Sequence, residues 1–514
     1  MAQLNGSSPA KLASLPEAIS LLGLSAAALV LGPVFASSSD AGHSFNMLLA
    51  GLLTAILVYF AVRDVAARRE RLWTSLFWFR ISSAVYCGFG TIVPYIVNAR
   101  TESYIRSVFD FTEADVLKVL QIFILSITIV ICTVALINEP TPSKARQPLS
   151  KRRQNNTILL AAALFLIFGG AIRYGIHLPR MYGLSDIYLP ATILTLGKAY
   201  VAGLFLLMFH GLRTKSLTLA LALGLFVVDF SAGLLAFDKS EMLTSLIFIY
   251  LAYIFHNFRL NRALIGTVLA FTVLIVTQPL VHFGRAEVQD LNGGRGNTAT
   301  ISERIEIVER YWENQNTAQF GNVQEKDPLL RLSFVNVAAF VVDQYDQGRP
   351  GERFRYVFAS IVPRALWPNK PAVGELGSET FYLIRGRDGA SVGTTHFAEA
   401  YWAYGWIGLP LVFIPGGIIL ALTSRYTIAS VRNDRWLRLP AILLAVIMGH
   451  RVSGSFVSDM IGGGVIFLAL ALAIRLAELY LDGSVAEHAR RRGLRRATQT
   501  QKRPIPRSIA TPGD

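Results

Sequence analysis

Apolar residues run along this chain in stretches too long to be the faces of soluble helices. They cover residues 15–35, 45–62, 72–97, 116–137, 157–176, 188–211, 217–237, 241–255, 263–281, 402–423, 437–456 and 460–481. A hydrocarbon core of about 30 Å takes about 20 residues of helix, so the pattern predicts about twelve transmembrane helices. Length and apolarity carry that reading, because a helix buried in lipid need not show a polar face. The run 241–255 is short for a crossing. One long polar break, from His282 to Tyr401, interrupts the series. The expected fold class is an all-α polytopic membrane protein. Residues 1–281 form a first transmembrane bundle, 282–401 a long loop, 402–481 the last spans and 482–514 a basic tail.

Two segments inside the break have patterns of their own. Over 302–314, Ile301, Ile305, Val308 and Trp312 share one helical face, while Glu303, Arg304, Glu306 and Arg310 take the other. A helix of that kind is expected to lie along the membrane surface. Asp327-Pro328 reads as an N-cap with proline in the first turn, followed by a largely apolar stretch over 329–342. A full crossing there would reverse the orientation of the basic loop 425–438, so 328–345 is expected to be re-entrant or surface-packed. Residues 314–326 and 347–352 are hydrophilic connectors. No internal repeat of the kind that marks a transporter of two related halves is visible.

Composition agrees with the pattern: the 514 residues are 53% hydrophobic and carry a net charge of +15, with a mean hydropathy of +0.44. That charge is spread over alternate short loops rather than gathered on one surface. Arg63, Arg68, Arg69 and Arg71 lie in one; Lys144, Arg146 and Lys151 to Arg153 in the next; then Arg213 and Lys215, Arg259 and Arg262, and Arg425 to Arg438. Basic loops face the cytoplasm, which predicts both termini inside and the long loop outside a bacterial inner membrane. The basic tail then serves orientation or anionic headgroups, and nucleic acid is not expected as a partner. Cys87 and Cys132 both fall within apolar runs and build no disulfide framework. The first run ends in Val34-Phe35-Ala36, which resembles a signal-peptidase site; its length and the single Lys11 before it predict a retained helix.

Charges at membrane depth are costly and face protein or an aqueous cavity. Arg80 lies in the cytoplasmic half of the third run. Lys198 and Asp229 sit at similar depth in two later ones, either as an ion pair or lining an outward-facing cavity together with Asp238. Asp238, Lys239 and Glu241 form one outer turn, and His450, Arg451 and Asp459 flank another. The long loop adds Arg285, Arg295, Arg304, Arg310, Arg331, Arg349, Arg353, Arg355, Arg364, Lys370, Arg385 and Arg387. Arginine offers a planar fork to phosphate and lysine a compact charge. Arg364 and Lys370 stand out because Pro363, Pro368 and Pro371 stiffen the segment that bears them. Lys239, Arg285 and Arg451 are the further expected anion contacts. His396 and Glu399, three residues apart, share a face if that segment is helical, and either is suited to deprotonate a sugar hydroxyl. Neither a metal-ligand cluster nor a nucleotide-binding glycine loop is present, so no cofactor is expected.

Three stretches give this chain a likeness to known proteins: Phe237-Asp-Lys-Ser-Glu241, Pro363-Arg-Ala-Leu-Trp-Pro-Asn-Lys-Pro371, and Thr394-Thr-His-Phe-Ala-Glu-Ala-Tyr401 running into Gly405-Trp-Ile-Gly408. Over 228–459 and in its run of spans the chain resembles the Wzy-type O-antigen and oligosaccharide repeat-unit polymerases. Relatives often carry Arg in the outer turn where this chain has Lys239, a point charge in place of a fork. The resemblance implies a GT-C-like, metal-independent inverting glycosyltransferase. Undecaprenyl-pyrophosphate-linked glycans would serve as donor and acceptor, with a chain-length regulator as a further partner. Of the two groups three apart, Glu399 is the expected base, because a carboxylate suits a sugar hydroxyl and the bilayer edge favours its protonated form, and His396 the group that orients the acceptor. A related ligase that moves the finished glycan to another acceptor would use the same donor chemistry. A secondary transporter is the rival from another class, and a metal-dependent lipid-sugar transferase is disfavoured by a first outer loop with Asp40 as its single acid.

Overall fold

Helix starts in this chain are written locally. Ser14 Oγ accepts from the Glu17 backbone N–H at 3.4 Å, with Pro16 in the first turn. Thr112 and Asp115 cap one another reciprocally, and Thr74 accepts from Phe77 N–H at 3.2 Å. Each cap satisfies a donor that the helix itself cannot. A computed structural model describes residues 11–36, 38–97, 112–140, 151–185, 197–257, 259–292, 298–313, 328–362, 367, 369, 376–385 and 392–480.

Those residues form helices, with no β-strand among them. In chain order they are α1 (Leu15–Phe35), α2 (Ser39–Ala67), α3 (Ser75–Ile96), α4 (Glu113–Ala135), α5 (Asn155–Met181), α6 (Ala199–Thr214), α7 (Leu217–Leu235) and α8 (Lys239–His256). There follow α9 (Leu260–Leu291), α10 (Ile301–Glu313), α11 (Val335–Asp346), α12 (Leu376–Arg385), α13 (His396–Arg432), α14 (Leu439–His450) and α15 (Val457–Tyr480). Nine of the described helices are long and apolar enough to cross a membrane; α6, α8 and α14 are shorter apolar helices. One compact unit covers Met1–Ile466, and a second begins at Phe467, where residues 467–480 are helical.

Two ends of the first unit can be named by what they carry: the loop end, bearing α10 to α12, and the opposite end. Close approach of α5 and α6 depends on glycine: a Cβ on Gly169 would stand 2.1 Å from Tyr200 N, and one on Gly203 2.7 Å from Leu166 N. Small residues let apolar helices pack by direct backbone contact where lipid supplies no hydrophobic drive. That contact brings the start of α6, with Lys198 and Tyr200, beside the last turns of α5.

The opposite end is held by a dense ionic seam. Arg80, buried in α3, forks onto Glu17 of α1 at 2.7 and 2.5 Å and reaches Asp64 of α2 at 2.8 Å. Arg71 bonds Asp64 at 2.7 Å and Glu139 at 3.0 Å. Arg68 also pairs with Glu139, and Arg432 from the end of α13 joins Glu139 at 2.8 Å to Glu70 at 2.7 Å. Burial would raise the Glu139 carboxyl, but hydrogen bonds from Arg432 and Arg71 and the nearby charges hold it below the usual carboxylate value. Residues read from the sequence as an orientation signal therefore also stitch five segments together.

The amphipathic helix expected over 302–314 is α10, with one correction. Arg304, assigned to the polar face, is buried: it donates to Ala299 O at 2.9 Å, Leu235 O at 3.1 Å and Met181 O at 2.8 Å. A cation there satisfies terminal carbonyls of α5 and α7 and meets the negative ends of their dipoles. Within 328–345, Pro328–Leu332 is a 3-10 turn. α11 follows and packs against α4 and α13. At 12 residues it is about 18 Å long, too short to cross a bilayer.

Candidate functional site

The 37-residue α13 is two helical segments separated at Gly405, whose φ of 60° and ψ of −147° are non-helical. A Cβ at Gly405 would also stand 2.6 Å from the Tyr345 hydroxyl of α11. Glycine is needed there on both counts. The kink isolates a first stub, opening at His396, whose N-cap Thr395 has a positive φ of 70° and accepts from Ala398 N–H at 3.3 Å. Such a conformation is strained for a β-branched residue and persists where its surroundings enforce it. Here the turn after α14 does so, with His396 N–H donating to Val452 O at 3.0 Å.

His396 and Glu399 are both buried on this stub. Glu399 accepts from Ser455 Oγ at 2.8 Å and from Phe456 N–H at 2.7 Å, so each carboxylate oxygen already holds the turn that follows α14. The Nδ1 side of the His396 ring is less telling than Nε2, a buried atom without a hydrogen-bond partner. It points toward Asp459 Oδ2 at 3.8 Å, too long for a direct hydrogen bond. Arg451 Nη1 reaches the other oxygen of Asp459 at 3.1 Å.

Arg353, from the long loop, completes this group. It is buried, donating to Thr394 Oγ1 at 3.0 Å and also to Thr380, and its guanidinium lies 5.2 Å from the Trp402 ring centroid. Burial pulls its pKa below the ordinary arginine value, with the charges of Glu399 and Glu379 opposing. Its Nε is buried and unpartnered. Among the described residues, Arg353, His396 and Arg310 are the basic side chains with such an orphaned nitrogen, and all three belong to the loop end.

A second group lies at the same end. Asp229 is fully buried and pairs with Arg173 of α5, at 2.6 and 3.3 Å, and accepts from Tyr174 at 2.7 Å. This corrects the expected Lys198–Asp229 pair: Arg173, inside the apolar run 157–176, is the nearer cation. It is the one charged residue in that run, a signal the sequence itself carries. Arg173 also pairs with Glu241, to which His177 approaches at 3.6 Å. Full burial places Asp229 in a packed interior, not on a cavity wall. Arg285 donates to Phe237 O at 2.7 Å and lies 3.6 Å from Asp238.

Lys198 sits between the two groups. Its ammonium is near the charges of Arg451, Glu241, Arg173 and Asp238, yet makes no hydrogen bond or ion pair among the described residues. Arg173 and His177, and likewise Asp459, lie in π-helical turns, Arg173–His177 and Val457–Gly462. A third such turn, Ala84–Phe89, interrupts α3. Single π turns are frequent at functional positions because they displace side chains from the helical register.

The structure thus brings His396, Glu399 and Arg451 together, and Asp229, Asp238 and Arg285 around a second centre with Lys198 between. Arg364 and Lys370 lie outside the described residues, as does the Lys239 side chain. Arg353 is one of thirteen Lys and Arg residues in the loop, with no pattern in the sequence to set it apart. Among the described residues no three His, Cys, Asp or Glu side chains are grouped to hold a metal ion.

An all-helical protein with many apolar helices long enough to span a bilayer, and buried ionisable groups at both ends of the bundle, is the build of a polytopic membrane protein. The chain belongs to the family described as Domain of unknown function (DUF8712), whose profile matches residues 58–427, more than half its length. That match takes in Arg173, Lys198, Arg353, His396 and Glu399 and stops before Arg451 and Asp459. No curated protein and no solved structure matches the chain.

Proposed function

We propose that the chain is an integral-membrane glycosyltransferase that extends lipid-linked glycans, with twelve spans of GT-C-like arrangement and its active end outside the cytoplasm of a bacterial inner membrane. The observation that carries this reading is that two buried nitrogens without partners, His396 Nε2 and Arg353 Nε, belong to the two basic residues whose charges bear on buried Glu399. Buried polar atoms without partners are rare, and at such density they favour a site awaiting a ligand.

In the proposed reaction an acceptor sugar hydroxyl attacks the anomeric carbon of a glycan on undecaprenyl pyrophosphate. The new glycosidic bond forms as the carbon–oxygen bond to pyrophosphate breaks. His396 Nε2 takes the hydroxyl proton, and Asp459 stabilises the resulting imidazolium. Arg353, with Arg451 and Lys198 toward the bundle end, offsets the negative charge developing on the departing pyrophosphate. Glu399 then positions rather than accepts: with both oxygens engaged it fixes the turn that presents Asp459. This exchanges the two roles expected from the sequence. Because His396 is buried beneath Val452 and the Phe456 ring, substrate enters only as those segments part.

A second reading, ion-coupled transport, draws on the buried Arg173–Asp229–Glu241 group within three spans, since charges at that depth often mark an ion path. Purified protein in nanodiscs with lipid-linked repeat units separates the two. The expected result is a ladder of longer glycans, falling about 10²–10⁴-fold for His396→Ala, the usual worth of a positioned base. Absence of any ladder from the wild-type protein, with substrate uptake into proteoliposomes instead, would give the function to transport.

A further inference from the structure

The three sides of α10 face three different surroundings. At about 100° per residue, Arg304, Ile307 and Tyr311 fall within an arc of about 60°, and all three are buried. Ile301, Ile305 and Trp312 fall in a neighbouring arc centred about 100° away, together with Val308 at its edge. These three are exposed, Ile305 by 45% and Trp312 by 63%. The remaining arc carries Ser302, Glu303, Glu306, Glu309, Arg310 and Glu313.

Two observations say what covers the apolar arc. Arg304 pins the helix to the terminal carbonyls of α5 and α7, which fixes α10 at the ends of two long apolar helices. The helices it packs against, α9 and α7, are among the least buried of the candidate spans, with Leu264, Ile265, Val268, Val227 and Val228 on their open sides. The exposed stripe of α10 is therefore the continuation, at the bundle's end, of a surface built to meet hydrocarbon.

We infer that α10 is an interfacial helix whose Ile301–Ile305–Trp312 stripe is seated in the headgroup–acyl boundary of the leaflet at the loop end, with Arg304 as its pin. A helix with one apolar side down, one side on protein and a charged side toward water meets each solvent with the matching surface. Tryptophan suits that depth, its ring buried and its N–H near the headgroups. The water-facing arc carries four glutamates against Arg310, so apolar insertion rather than attraction to anionic lipid holds the helix.

Nitroxide labels on single cysteines test this in a C87A/C132S background, with the full chain in nanodiscs of phosphatidylethanolamine. At position 305 the label should be several-fold more accessible to oxygen than to a water-soluble nickel chelate. At 306 the order should reverse, and at 307 both reagents should be excluded. Doping the discs with phosphatidylglycerol should leave these values unchanged. Nickel accessibility at 305 equal to that at 306 overturns the inference in favour of water, and exclusion of both reagents at 305 overturns it in favour of a second protein surface. Oxygen accessibility gained only with anionic lipid overturns the apolar basis. Should the cysteine substitutions unfold the chain, acyl chains brominated near the headgroup provide the reading. They should quench the emission of the wild-type chain more than that of Trp312→Phe, and equal quenching rejects the placement.

Discussion

Both ends of this bundle bury charge, yet the two ends use it differently. At the end away from the long loop, Glu17, Asp64 and Glu139 each meet at least one guanidinium in direct contact, and Arg80 spends its donors on two carboxylates. At the loop end, His396 stops short of Asp459, Arg353 contacts hydroxyls but no carboxylate, and Lys198 has charged neighbours without a bond to any. A saturated network holds helices at fixed positions. An unsaturated one of similar composition retains capacity for something else. Burial and charge alone do not separate these cases; the partner of each polar atom does.

The largest expected contrast is in stability. Arg80→Ala leaves Glu17 and Asp64 buried without their shared cation and should cost about 3–5 kcal/mol. Arg353→Leu removes two hydroxyl contacts and the contact with the Trp402 ring but no ion pair, and should shift the unfolding midpoint far less. Thermal unfolding of both variants in detergent measures the difference, and equal losses would erase the distinction between the two ends.

Asp229→Asn probes the mixed case, the second group of the loop end. It removes one of the two acids on Arg173 while Glu241 remains, so a loss of about 1–3 kcal/mol is expected, between the two values above. A loss as large as that of Arg80→Ala would mean that this group is as purely structural as the far seam.

The smallest effect is a dependence on pH. Glu139 holds its proton less tightly when folded than when unfolded, because Arg432, Arg71 and Arg68 outweigh its burial. Its contribution is therefore complete above the ordinary carboxylate value, about 4.3 for Glu, and is lost as pH falls through the lowered folded value. In a Glu139→Gln background the acid-side fall in melting temperature should be shallower than in the wild-type chain. Identical acid limbs for the two would remove Glu139 from the seam.

The runs of apolar residues located the helices because chain length across a bilayer is a matter of composition, and composition is local. α1 begins and ends where its run does, and α10 was legible from its spacing. Arg304 was not, since the carbonyls that bury it come from Met181 and Leu235, far away in the chain. The same limit applies to the site. His396 and Glu399 were visible as a pair three apart, but which of them has a free atom depends on Ser455 and Phe456, fifty-odd residues later. Arg353 is indistinguishable from twelve other loop cations until Thr394 and Thr380 close around it.

The π turns have a consequence for how this chain tolerates change in length. A π turn holds one residue more than the α-helix it interrupts, an insertion already absorbed. Deleting one residue within 173–177 would restore ordinary winding and leave no gap. Because the turn has already absorbed its extra residue, such a deletion would leave the two flanking parts of α5 close to their present register. Arg173 and His177 now reach the same carboxylate, Glu241, from opposite ends of that turn. After deletion of a residue between them the two side chains would stand three apart on an ordinary helix, still neighbours on one face. At this position the chain can lose a residue that, elsewhere in the helix, would turn every later side chain by about 100°.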